Sequence, residues 1–380
     1  MNGKKRNIAI GCLFFIAWTG TVPAWGAKTQ PPPRQVTGYY YDPAEGKIIP
    51  KYDDLSPQGV ATYLYLKDHP DYYKYLQSLS YSSFRTLDAQ YIPYLSPAQI
   101  ASMPNSDWFN TLSPAQKATL TPEQIQAINT SRVSIGVLSA DQRMFLTDKQ
   151  LLDMGNRYSD YRYVPADKIK ILSEDQISSI PNTDWFNTLS AEQKAALSVK
   201  QVQAIMTSVV SIGALPADKR LNLTNQQISN IGTRYSDFRY VPDNKVQVLS
   251  AAQIATIPNT DWFNTLSASQ KAALSSQQIQ AINTAAVSIG TLPAEQRTNL
   301  TDQQISDINT RYSDYRYVPT EKITILSPAQ ISSIPNADWF NTLSNAQVQT
   351  LTQTQVLSIP ASYYNSIKSR LTSEQKAWRP

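Results

Sequence analysis

The sequence predicts an all-α fold: a superhelical, solenoid-like array of short capped helices in 77-residue repeats, behind a small N-terminal β or irregular segment. Three observations carry this reading. Trp108, Trp185, Trp262 and Trp339 recur at one fixed interval without insertion or deletion, each inside Asp-Trp-Phe-Asn-Thr-Leu-Ser. Tyr158, Tyr235 and Tyr312 keep the same period within Arg-Tyr-Ser-Asp-[Tyr/Phe]-Arg-Tyr-Val-Pro. Between these landmarks a shorter pattern, Leu-[Ser/Thr]-x-x-Gln-[Ile/Val], returns several times per unit. A fixed period over this length marks an array in which each unit buries its apolar face against its neighbour.

Residues 1–27 read as a secretory signal peptide. Lys4, Lys5 and Arg6 form a basic start, and Ile8 to Trp18 form an 11-residue apolar run, shorter than the roughly 20 residues that span a bilayer. Cys12, the only cysteine, lies near the start of that run, where a lipoprotein cysteine would end it. The mature chain therefore has no disulfide. Removal of residues 1–27 takes away three basic and no acidic residues, so the formal charge falls from +5 to +2. The remaining charges are interspersed, which argues against a nucleic-acid partner. No later apolar run reaches spanning length, so no transmembrane segment is expected after cleavage, and the destination is the periplasm, the cell surface or the medium.

Residues 28–50 combine a stiff Pro31-Pro32-Pro33 linker with a β-hairpin, whose strands 37–41 and 46–49 flank Asp42-Pro-Ala-Glu. Residues 51–94 are a tyrosine-rich, diverged leading unit that caps the array. Tyr39 to Tyr94 hold 12 of the 22 tyrosines, and Tyr81-Ser-Ser-Phe-Arg85 precedes Tyr158-Ser-Asp-Tyr-Arg162 by one period. Repeats one to three occupy 95–171, 172–248 and 249–325, and 326–380 form a partial fourth repeat and a C-terminal cap.

Within a repeat the Ser or Thr of the short pattern caps a helix through the amide three residues on, while the Gln returns a bond to the cap's own amide. Pro97 and Pro122 occupy the first helical position, where no donor is missed, and Leu95 and Ile100 stand as a hydrophobic staple. Helix starts are expected at Ser96, Ser113, Thr121, Ser139, Thr147 and their equivalents one period on, with over half of the mature chain helical. Some starts follow one another so closely that about two turns remain per helix, too few to persist without tertiary packing. Pro104, Pro181, Pro258 and Pro335 end the opening helix of each unit.

The segment Leu120-Thr-Pro-Glu-Gln-Ile-Gln-Ala-Ile128 resembles the opening of a DNA-reading TAL effector repeat. That family's 34-residue period, variable residue pair and glycine-rich continuation are missing, so the likeness is set aside. Over residues 95–360 the Leu-[Ser/Thr]-x-x-Gln-[Ile/Val] tracts are similar to those of large exported bacterial surface and adhesin-like proteins. This resemblance implies an exported structural or binding role and transfers no functional residue.

Catalytic constellations are scarce. His69 is the only histidine, within Lys67-Asp-His-Pro-Asp71, so no mature Cys/His zinc set exists and no Gly-x-Ser-x-Gly elbow accompanies it. No catalytic residue, metal or cofactor is expected. Glycoside hydrolysis needs only two carboxylates, and Asp107, Asp184, Asp261 and Asp338 recur, as do Asp160, Asp237 and Asp314. Recurrence in every unit argues for a role in every unit and against one catalytic site.

The tyrosine motif supplies the candidate partner-binding residues: Tyr158, Tyr161, Arg162 and Tyr163, then Tyr235, Phe238, Arg239 and Tyr240, then Tyr312, Tyr315, Arg316 and Tyr317. Their rings can stack on sugars or on a partner's apolar groups, with Arg and Asp giving direction; alternatively they fill the joint between units, with Arg and Asp paired at the rim. Trp108, Trp185, Trp262 and Trp339 are expected as structural core anchors, because they follow a helix stop and precede the next cap. The functional expectation is a protein-interaction, adhesion or scaffold module. The alternatives are an envelope or host polysaccharide binder and a carboxylate-based glycoside hydrolase.

Overall fold

The computed structural model describes residues 57–379, the strands Gly38–Asp42 and Lys47–Lys51, and positions 31, 34 and 36. Residues 1–27, expected as a signal peptide, and residues 43–46, where most of the expected Asp42-Pro-Ala-Glu turn falls, lie outside the described residues. The chain divides into two compact units, Met1–Ile128 and Asn129–Pro380, a division that falls within the first 77-residue repeat.

In the first unit the expected hairpin is present, antiparallel, with Gly38 opposite Lys51 and Asp42 opposite Lys47. Helices Pro57–Asp68 and Pro70–Ser78 follow. Their core joins Val60, Tyr63, Leu66, Tyr73 and Leu76 to Tyr94, so part of the tyrosine density is packing. Burial pushes the Tyr94 hydroxyl up to about 12. Tyr81–Thr86 forms a 3-10 helix with Phe84 enclosed, and the capped helices Pro97–Ala101, Ser106–Asn110, Pro114–Ala118 and Pro122–Ala127 complete the unit.

The second unit is a series of short helices, and residues 95–325 contain no strand. Helices Glu174–Ser178, Val199–Ala204, Asn225–Ser229 and Ala251–Ala255 open at nearly equal intervals, and the last of them stands one full period after the first. The 77-residue period is therefore three turns of chain. Each turn carries three short segments, as in Glu174–Ser178, Thr183–Phe186 and Ala191–Ala196. Segments one turn apart pack together: Glu174–Ser178 on Val199–Ala204, Ala251–Ala255 on Ser276–Gln280, Pro328–Ser332 on Gln353–Ser358. Ile177, Ile180, Phe186, Leu189 and Leu197, all at most 3% exposed, show how each segment contributes one or two apolar side chains to a continuous core.

The local cause is the capping box, complete at Ser96, Ser113, Thr121, Ser139 and Thr147. It recurs at the equivalents except where Pro216 and Pro293 replace Ser139. Helices Ala217–Arg220 and Ala294–Arg297 still start there without a side-chain cap, since proline's fixed φ suits a helix entry. At the chain end positions 370 and 378 are Arg and Trp, and the last helix, Ser373–Ala377, is capped from Thr372 instead.

The box glutamine has a second task that joins successive turns. Gln201 accepts from the Ser198 amide at 2.9 Å, while its Nε2 donates to the Ile169 and Leu172 carbonyls at 2.9 and 2.7 Å. Gln278 does the same with Ser275, Val246 and Leu249, and Gln355 with Thr352, Ile323 and Leu326. Helix ends leave carbonyls without intrahelical partners; here a buried amide from the following turns donates to one such carbonyl, Leu172, Leu249 or Leu326, and shares a second, Ile169, Val246 or Ile323, with the backbone amide that closes the 3-10 helix. Such short helices persist because both of their ends are held from outside.

The turn after every third opening helix needs a left-handed residue. Gly155, Gly232 and Asn309 occupy it with φ of 56°, 65° and 58°. Glycine adopts this conformation without penalty and asparagine is the best tolerated substitute, which accounts for the exchange at the third copy.

Candidate functional site

The 3-10 helices Tyr158–Tyr163, Tyr235–Tyr240 and Tyr312–Tyr317 carry the tyrosine motif. They sort its twelve candidate residues into two groups. Tyr161, Phe238 and Tyr315 are at most 1% exposed and belong to the core, which removes them from the ligand-facing set. The Tyr161 hydroxyl donates to the Gly155 carbonyl at 2.9 Å and lies 3.2 Å from the Ser179 hydroxyl; burial raises its pKa. The other nine remain at the surface: Arg162, Arg239 and Arg316 are exposed, and Tyr158, Tyr163, Tyr235, Tyr240, Tyr312 and Tyr317 are half-buried.

The recurring Asp160, Asp237 and Asp314 lie inside, 2% exposed, rather than at a rim. Asp160 accepts from the Ser134 hydroxyl at 2.5 Å and the Ile135 amide at 3.2 Å, and Arg157 Nε stands 3.3 Å away. Asp237 and Asp314 repeat the arrangement, with Arg234 and Arg311 at 2.7 and 2.8 Å. Each carboxylate is fully engaged in tying two segments together, as a buried charge must be. Asp107, Asp184, Asp261 and Asp338 are exposed in first helical turns, where a negative charge meets the helix dipole. His69 is exposed and stacked on Tyr65 at 4.1 Å, and no group of three or more His, Cys, Asp or Glu side chains gathers among the described residues.

The tryptophans require a correction. Phe109, Phe186, Phe263 and Phe340 are fully enclosed, whereas Trp108, Trp185, Trp262 and Trp339, one position earlier, are half-buried. Each tryptophan meets a tyrosine edge to face: Tyr81–Trp108 at 5.1 Å and Tyr158–Trp185, Tyr235–Trp262 and Tyr312–Trp339 at 5.0 Å.

Three arginines missed by the sequence reading, Arg143, Arg220 and Arg297, join the tyrosine-motif candidates in a cluster that completes the surface. Arg143 and Arg162 lie over the Tyr163 ring at 4.6 and 4.8 Å from its centroid. Arg220 and Arg239 do the same over Tyr240 at 4.6 and 4.7 Å, and Arg297 and Arg316 over Tyr317 at 4.6 and 4.7 Å. Arg162 and Arg239 also reach Trp185 and Trp262 at 5.9 Å. None of these six guanidinium groups forms an ion pair among the described residues. Burial lowers the pKa of Arg143 and Arg297. The period of Arg143, Arg220 and Arg297 was visible in the sequence, but nothing local linked each of them to the last tyrosine of the 3-10 helix that follows.

The tyrosine ring is seated on a glycine. A Cβ on Gly136, Gly213 or Gly290 would come under 3.0 Å from the ring of Tyr163, Tyr240 or Tyr317. Gly213→Ala is therefore expected to unseat Tyr240 and cost about 1–3 kcal/mol, as overpacking does. Urea unfolding checks this, and wild-type stability would mean that the ring moves aside freely.

A shallow groove opens beside each of the last two clusters. One, of about 190 Å³, is walled by Arg220, Arg239, Tyr240, Pro242 and Asp243. The other, of about 400 Å³, lies one period later between Arg297, Arg316, Tyr317, Pro319 and Glu321. No protein-family model and no curated protein matches the chain.

Proposed function

We propose that the chain is an exported repeat scaffold that holds a partner at its surface through many weak, identical contacts. The observation that supports this reading is the guanidinium–tyrosine cluster, built three times from the same residue types: Arg143, Arg220 and Arg297 are half-buried and donate to backbone carbonyls, while Arg162, Arg239 and Arg316 are exposed and form no ion pair among the described residues. An interior role alone does not call for the exposed Arg162, Arg239 and Arg316. Among the described residues no helix is long and apolar enough to cross a membrane, and the signal-like segment 1–27 supports export.

Repeated contacts add through effective concentration. Deletion of residues 172–248 removes three whole turns and one cluster while preserving the phase at the junction. The shortened protein is expected to fold, by circular dichroism and a cooperative melt, and to be retained about tenfold or more less tightly by a native envelope preparation in sedimentation assays. Retention unchanged by the deletion would identify the array as a spacer.

A further inference from the structure

We infer that the arginine–tyrosine clusters at Arg162, Arg239 and Arg316, with the grooves beside the last two, take a linear, carboxylated polysaccharide; this rests on the scaffold reading and names its ligand. Charge comes first. Each of the two grooves holds two arginines against one carboxylate, Asp243 or Glu321, so a net positive charge remains on a chain that is otherwise nearly neutral once its leader is removed. The planar guanidinium fork matches a carboxylate in two parallel hydrogen bonds. Stacking on tyrosine holds that fork in place before a ligand arrives, which reduces the ordering cost of binding.

The neighbouring surface is hydroxyl-rich. Arg239 and Tyr240 also wall a second groove of about 300 Å³, lined by Thr183, Asn187, Ser211 and Ser236 and by Asp237, whose charge is met by Arg234. Thr260, Asn264, Ser288 and Ser313 stand at the same positions one period on. A ligand crossing Arg239 thus meets a cation and aromatic edges, then hydroxyl and amide groups, the combination that suits a sugar ring bearing an acid.

Spacing separates a polymer from a folded partner. The three clusters are three turns apart, and helices pack about 8–10 Å from one another, which places the sites roughly 25–30 Å apart. Chemically identical sites at equal intervals select a ligand that itself repeats. A protein surface seldom presents the same acidic group at equal intervals, whereas an acidic glycan does so along its whole length.

The test uses the full mature chain with polygalacturonate, alginate and hyaluronate as carboxylated probes, fully methyl-esterified polygalacturonate as the neutral counterpart, and poly-L-glutamate as the acidic peptide. At least one carboxylated glycan is expected to bind, with affinity falling as salt rises, while the ester and the peptide bind at least about tenfold more weakly. The Arg162→Gln, Arg239→Gln, Arg316→Gln triple variant changes only exposed side chains. It should keep its helicity and melting temperature and lose about tenfold or more in affinity. The corresponding Arg→Lys triple variant keeps the charge but not the fork, and should fall between the two. Equal binding of poly-L-glutamate or of the ester, indifference to the Gln substitutions, or failure of all three glycans to bind overturns the assignment. If those failures occur while envelope retention still depends on the number of repeats, the ligand class is wrong and the scaffold reading stands.

Discussion

Phe238→Ala is expected to cost the second unit about 3–5 kcal/mol, whereas Trp262→Ala costs about 1–2 kcal/mol. Phe238 is 1% exposed, and its removal leaves a cavity in a core made of single side chains from short segments. Trp262 is half-buried, so its loss removes mainly the edge contact with Tyr235 and part of an apolar surface. Phe238→Tyr is the informative control. Tyr161 and Tyr315 occupy the same place and send their hydroxyls to the carbonyls of Gly155 and Asn309. A tyrosine at 238 finds the Gly232 carbonyl in the same position and should be neutral or slightly stabilising. Replacing Tyr161, Phe238 and Tyr315 together with Ala should melt the array far below the wild type. Urea titration of each variant checks the order; a Trp262→Ala loss equal to that of Phe238→Ala would show the tryptophan to be a core anchor after all.

The reason the sequence misplaced the tryptophans is geometric. Trp and Phe are adjacent in every copy, and composition alone makes both core residues. The apolar phase contained the answer: Phe109 and Leu112 are three apart and both buried, as are Tyr161 and Val164, while Trp108 is out of step by one. Helix starts were legible because a capping box is a local device, readable from Ser or Thr and a Gln three residues on. The subdivision of the repeat into three turns was hidden, since the middle segment of each turn differs: an α-helix at Thr183–Phe186, a short 3-10 helix at Ile212–Ala214, a longer one at Tyr235–Tyr240. Asp160 likewise reads as a surface charge until Ser134 and Ile135, about one turn earlier, are seen to enclose it.

What joins the turns should be measurable at a single glutamine. Gln201→Leu keeps the size of the side chain, yet leaves the Ser198 amide and the Ile169 and Leu172 carbonyls without this partner. The Ile169 carbonyl keeps its bond from the Leu172 amide, so two buried groups lose their partner; at about 1–3 kcal/mol each, a loss of about 2–6 kcal/mol is expected. Gln201→Glu separates the two tasks of the residue. A carboxylate still accepts from the cap amide but faces two carbonyl oxygens with no proton to donate, so burial and repulsion raise its pKa in the folded state. A raised folded-state pKa means that the folded protein binds the proton more tightly than the unfolded chain. Stability of the variant should therefore be greatest below the free glutamate value of about 4.3 and decline as pH rises toward the folded-state pKa. The wild type lacks this group and should not share that decline. Parallel pH–stability curves for Gln201→Glu and wild type would show that Nε2 contributes nothing to holding successive turns together.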